Sequence, residues 1–108
     1  EPKISPLVGE GVSNKEASIH ELSKAGLASK EIDKLSFLFG HMVVDIKDDT
    51  YTTILNGQVN EIPYSVISIT NSCYKIKLGQ DINELCIINN MLYVPSYKGS
   101  KEVFNRKI

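Results

Sequence analysis

The 108 residues carry a net charge of −1, with 42% hydrophobic and 23% charged residues, the profile of one globular domain with a single core. That balance provides no global field for nucleic acid or an anionic membrane, and Arg106 stands alone beside eleven lysines, so the side chain that reads phosphate and guanine bidentately is nearly missing. No apolar run reaches the ~18–20 residues that span a bilayer, and Glu1 is followed by no signal-peptide core, as at a processed mature N-terminus or an artificial boundary.

Residues 1–12 contain Pro2, Pro6, Gly9 and Gly11 and no usable periodicity. Pro and Gly at that density oppose both helix and ladder, which predicts a flexible N-terminal linker over 1–12 and a single domain over 13–108. Functionally, the linker is a candidate membrane tether. Ser13-Asn14-Lys15-Glu16 then reads as a capping box that starts a helix, the Ser13 hydroxyl facing the Glu16 amide. Ala17, Ile19, Leu22 and Ala25 form its narrow apolar stripe, and Gly26 its left-handed stop. A second helix is predicted from about Ser29, with Glu31 and Asp33 in its first turn. Ile32, Leu35, Leu38 and Phe39 follow at helical spacing, and Gly40 ends it. The two helices form one amphipathic layer that needs something to cover.

Residues 41–94 read as short strands broken by Asp48-Asp49, Asn56-Gly57, Asn71-Ser72, Gly79-Gln80 and Asn89-Asn90. Two-residue turns at these points pair Ile46 with Tyr51, Val44 with Thr53, Ile67 with Ile76, Ile69 with Tyr74 and Ile87 with Leu92. The predicted inner face is Val44, Ile46, Ile67, Ile69, Tyr74, Ile76, Leu85, Ile87, Leu92 and Val94. Asp45 and Thr52 fall on the opposite face, and so do Cys86, Ile88, Met91 and Tyr93. Residues 58–62 are polar, and Pro63 must stand at an edge or a bend. After Pro95 and Tyr97, residues 102–106 are a candidate last strand.

Cys73 and Cys86 are the only cysteines, too few and too far apart for a zinc site. With a two-residue turn at Gly79-Gln80, Cys73 stands directly opposite Cys86, within reach of a disulfide. A four-residue turn would move its partner to Ile88, and two buried free thiols are the alternative. A bridge would imply an oxidising compartment, periplasmic or extracellular.

No catalytic signature is present. His20 lies on a helix surface, His41 follows a helix stop with no nucleophile named beside it, and no Gly-x-Ser-x-Gly elbow occurs. Asp45, Asp48 and Asp49 lack the spacing of a calcium loop, and turn chemistry accounts for the latter two. No cofactor or metal site is therefore expected. The segment from Ala25 to Ile32 looks like the corner of a helix-turn-helix, yet Lys30 and Lys34 are offset by Glu31 and Asp33. Tyr93 and Met91, facing away from the predicted core, are candidates for a partner surface.

A helical layer followed by Phe39-Gly40-His41-Met42-Val43-Val44-Asp45-Ile46, Asp49-Thr50-Tyr51-Thr52, Asn56-Gly57 and repeated short strands ending at Phe104-Asn105-Arg106 resembles small bacterial lipocalin-like lipoproteins. The resemblance implies a mostly non-enzymatic protein of the periplasm, anchored at the outer membrane in such relatives, although their lipid-attachment Cys is not in this sequence. The combined expectation is a single α+β domain, two short N-terminal helices packed on an antiparallel β-meander curved into a sheet or partial barrel. Its expected role is a non-catalytic binding module of the bacterial envelope for a protein partner or small apolar ligand, with no nucleic acid involved. A toxin-immunity or inhibitor protein, with acidic residues such as Asp45 and Glu61 meeting a basic partner, is one alternative. A small helix-turn-helix DNA-binding regulator is the other.

Overall fold

In the computed structural model, which describes residues 7–96 and 99–107, eight antiparallel strands close into a barrel in chain order. They are β1 Gly9–Ser13, β2 Val43–Ile46, β3 Thr50–Leu55, β4 Gln58–Thr70, β5 Cys73–Leu78, β6 Asp81–Ile88, β7 Met91–Pro95 and β8 Lys101–Lys107. Between β1 and β2 lie α1 (Lys15–Lys24), α2 (Ser29–Leu35) and a 3-10 turn, Ser36–Leu38. Tyr97 and residues 1–6 of the predicted linker lie outside the described residues.

The hairpins follow from their turn residues. Asn56 and Gly57 take φ of 51° and 80°, and Asn89 and Asn90 take 51° and 63°, the positive values a type I′ turn requires at both positions. Register follows: Val44 pairs with Thr53, Ile46 with Tyr51, Ile87 with Leu92, and Cys73 with Cys86. Val44, Ile46, Tyr51, Tyr64, Tyr74, Ile76, Leu85, Leu92 and Phe104 fill the interior with Leu7, while Ile87 and Val94 pack partly buried against them.

Four expectations need correction. Residues 9–12, expected within the linker, belong to a strand that pairs with β2 on one side and β8 on the other, which turns the expected sheet into a closed barrel. Its glycine is a fit to crowding: a Cβ on Gly11 would stand 3.1 Å from the Phe104 Cβ and 3.4 Å from Val44 Cγ2. Secondly, Ser13 is not the helix cap. Asn14 accepts from the Ala17 amide at 3.0 Å, and Ser13 ends β1 with its side chain turned inward. Thirdly, the two helices do not share the barrel equally: α1 packs against β8, whereas α2 leans mainly on α1 and the 3-10 turn. The join is polar as well as apolar. Where β1 stops, the Val103 backbone that its ladder leaves unpaired is taken up by Ser18, whose Oγ accepts from Val103 N at 2.9 Å, and by Asn14 N, which donates to Val103 O at 2.7 Å. Leu22 and Val103 are fully buried there.

Fourthly, Ile67 and Ile69 are not core. The β4–β5 ladder slips at a bulge between Val66 and Ser68, so Val66 rather than Ile67 faces Ile76. Ile69 keeps Tyr74 as its partner but is 60% exposed, because β3 runs beside β4 only as far as Pro63.

Candidate functional site

Side chains alternate along each strand, so the buried Val44, Ile46 and Phe104 assign Asp45, Val43 and Asn105 to the outside of the barrel. Followed from partner to partner, one outer row reads Lys107, Glu10, Asp45, Thr52, Glu61. The next reads Met91, Asn105, Val12, Val43, Ile54, Val59. Across β1–β4 an acidic row therefore runs beside a row of β-branched apolar residues. Lys107 Nζ reaches Glu10 Oε1 at 3.2 Å, and Asp45 and Glu61 flank Thr52. Thr52 Oγ1 is buried without a hydrogen-bond partner at the centre of that row.

Asp45 and Glu61 are thus brought together, each opposite Thr52. Met91 lies one row over and three strands away from Asp45, between Ile88 and Asn105. Tyr93 does not join them: it stands half-buried between Cys86 and Val103, beside the strand that α1 covers. Val43 and Ile54 share the face that hairpin counting assigns to Asp45 and Thr52, whereas Glu10, Val12 and Val59 escaped sequence reasoning because β1 was read as linker and a row across four strands needs three registers at once.

A polar group inside the barrel was also unforeseen. Glu102, opposite Val94, turns inward, and Ser13 Oγ donates to its carboxylate at 2.7 Å while accepting from Gly40 N at 2.9 Å. Burial pushes the Glu102 carboxyl above the ordinary glutamate range, more than the Ser13 hydrogen bond lowers it. Burial, then the Glu102 charge, pushes the Tyr51 phenol up to about 12. Tyr64, also raised by burial and then by Asp48 and Asp49, donates its hydroxyl to the Lys47 carbonyl. Arg106 is likewise internal in use: its guanidinium donates to the Val8 carbonyl at 3.0 Å.

An acid whose folded pKa is raised holds a proton that the unfolded chain has already released, so its contribution to stability falls as pH rises from the ordinary glutamate value through the raised one. Glu102→Gln, which still offers Ser13 an acceptor, is expected to flatten that fall and raise neutral-pH stability. Urea midpoints measured between about pH 4 and 7 check it, and an unchanged slope would exclude Glu102 as its source.

Cys73 and Cys86 are joined in a disulfide, so two of the three donors in the Cys73–Glu84–Cys86 group are not available as metal ligands. His20 and His41 are both exposed. A shallow open groove of about 310 Å³ is lined by Pro63, Tyr64, Ser65, Lys77 and Gly79. Among the described residues no helix is long and apolar enough to cross a membrane. No protein-family model matches the chain, and neither a curated protein nor a solved structure matches it.

Proposed function

We propose that the protein is a non-catalytic binding domain of the bacterial cell envelope, and that the outer face of β1–β4 docks a basic protein partner. The observation that carries this reading is the register that sets Glu10, Asp45 and Glu61 in one row beside Val12, Val43, Ile54 and Val59. Glu10 and Asp45 are direct cross-strand partners, and like charges so placed weaken a sheet. Lys107, ion-paired with Glu10 at 3.2 Å, offsets that repulsion in part, and recognition supplies a reason for the rest of the acidic row. An apolar strip flanked across β1–β4 by acids suits a partner surface of opposite sign.

A protein is favoured over a small apolar ligand because the interior is occupied by side chains, as eight-stranded barrels of this width allow. The disulfide fits an oxidising compartment, and the periplasmic and lipoprotein-like character follows the resemblance to lipocalin-like lipoproteins. A toxin-immunity or inhibitor role, directed at a basic target, would use the same face.

Immobilised protein is expected to capture a basic protein from an envelope extract, with capture weakening as salt rises. Asp45→Lys combined with Glu61→Lys is expected to reduce that capture about tenfold or more. Undiminished capture by the folded double variant would sink the assignment of the face. Absence of any partner, together with a bound lipid in native mass spectra, would sink the protein-binding reading itself.

A further inference from the structure

A second surface, separate from the acidic face, lies along the far half of β4. β3 accompanies β4 from Gln58 to Pro63, and the last backbone bond on that side is Tyr64 N to Asp49 O at 3.0 Å. Beyond it, residues 65–70 are paired with β5 on one side, and among the described residues no strand pairs with their other edge. Native sheets guard such edges with Lys, Pro, inward charges or bulges, and the one such device on this edge is the bulge between Val66 and Ser68. Here the edge reads Ser65-Val66-Ile67-Ser68-Ile69-Thr70, without charge or proline. Val66, Ile67 and Ile69 are 41%, 50% and 60% exposed.

The segment is complementary to itself. Placed antiparallel across a two-fold axis between Ile67 and Ser68, it sets Val66 opposite Ile69, Ser65 opposite Thr70 and Ile67 opposite Ser68. The bulge between Val66 and Ser68 brings Val66 and Ile69 to one face, with Ile76 and Tyr74, and leaves Ser65 and Thr70 on the other, so away from the axis apolar meets apolar and hydroxyl meets hydroxyl. One step outward, Tyr64, whose amide is bonded to the Asp48-Asp49 turn, comes opposite Asn71 of the second copy, so the acidic turn meets the uncharged Asn71-Ser72 turn rather than its own charge. Lys75 and Lys77 stand one strand back, opposite Ser68 and Ser65, and Lys75 is matched by Glu84 across β5–β6. The open stretch is six residues long in each copy, an ordinary strand length.

We infer that two copies of this chain join through residues 65–70 of β4, forming an isologous dimer with one continuous sheet across the two-fold. So short an edge with two apolar contacts per copy gives a reversible dimer, not an obligate one. The dimer does not depend on the acidic face.

Sedimentation equilibrium over a wide concentration range is expected to show monomer and dimer in the intact protein and monomer alone in Ile67→Lys and Ile69→Lys. Both positions are exposed, so both variants should keep the melting temperature of the parent at low concentration. Amide exchange of residues 65–70 should slow as concentration rises. A monomer at every concentration would overturn the inference, and so would a dimer that persists in both lysine variants. Neither result touches the capture experiment with Asp45 and Glu61, so the two readings fail separately.

Discussion

Replacing Phe104 with Ala is expected to cost about 3–5 kcal/mol of unfolding free energy, which is a large share of the ~5–15 kcal/mol a domain of this size has. Phe104 is 1% exposed, stands on β8 between Leu92 on β7 and Ser13 on β1, and belongs to the central cluster. The ring is packed among the buried side chains of the cluster, and Gly11, which stands against the Phe104 Cβ, has no side chain to move in. The cavity would therefore stay open, and the loss should lie toward the upper end of the range. Phe37 provides the internal comparison. It is 76% exposed, so Phe37→Ala should stay within about 0.5 kcal/mol of the parent. Denaturant titration of both variants checks the pair, and equal losses would mean that Phe104 is not where the interior is held.

Reduction of the Cys73–Cys86 bridge is the second large effect. The bond joins neighbouring strands across a separation of 13 residues, and the chain-entropy account gives about 2–3 kcal/mol for a loop of that size. At roughly 4–8 °C per kcal/mol for a domain near this length, the melting temperature should fall by about 10–20 °C in reductant or in the Cys73→Ser, Cys86→Ser double variant. Thiol titration of the denatured, unreduced protein should find none. Two reactive thiols would remove both the staple and the argument for an oxidising compartment.

The bridge was legible because every step to it is local. Asn71-Ser72, Gly79-Gln80 and Asn89-Asn90 each demand a tight turn, and counting outward from them leads to Cys73 opposite Cys86 with no long-range information. The same counting succeeds for Val44, Ile46, Leu85 and Leu92. It fails at Ile67, since a bulge inserts one residue into the alternation and nothing in Val66-Ile67-Ser68 announces it. It fails at β1 for a different reason. Gly9 and Gly11 are poor strand formers by themselves, and their fitness is visible only against Phe104, Val44 and Arg106, which arrive from elsewhere in the chain. Ser13 shows local chemistry overruled by such arrivals, for its hydroxyl had a plausible local amide and took Glu102 and Gly40 instead. The acidic face was half legible: Asp45 and Glu61 could be named, but their alignment with Glu10 required the barrel to be closed.

That closure has a temporal side. Seven of the eight strands find a pairing partner in the strand just before them, so their ladders become available as the chain is made. β1 is the exception, the first of the barrel strands to be synthesised and the one whose second partner, β8, comes last among them. Arg106 meets the Val8 carbonyl across 98 positions, and Glu102 meets Ser13 across 89. Until β8 exists, β1 has an edge with nothing to bond it, and Ser18 and Asn14 have no Val103 backbone to hold. The cylinder thus closes only once β8 has been made.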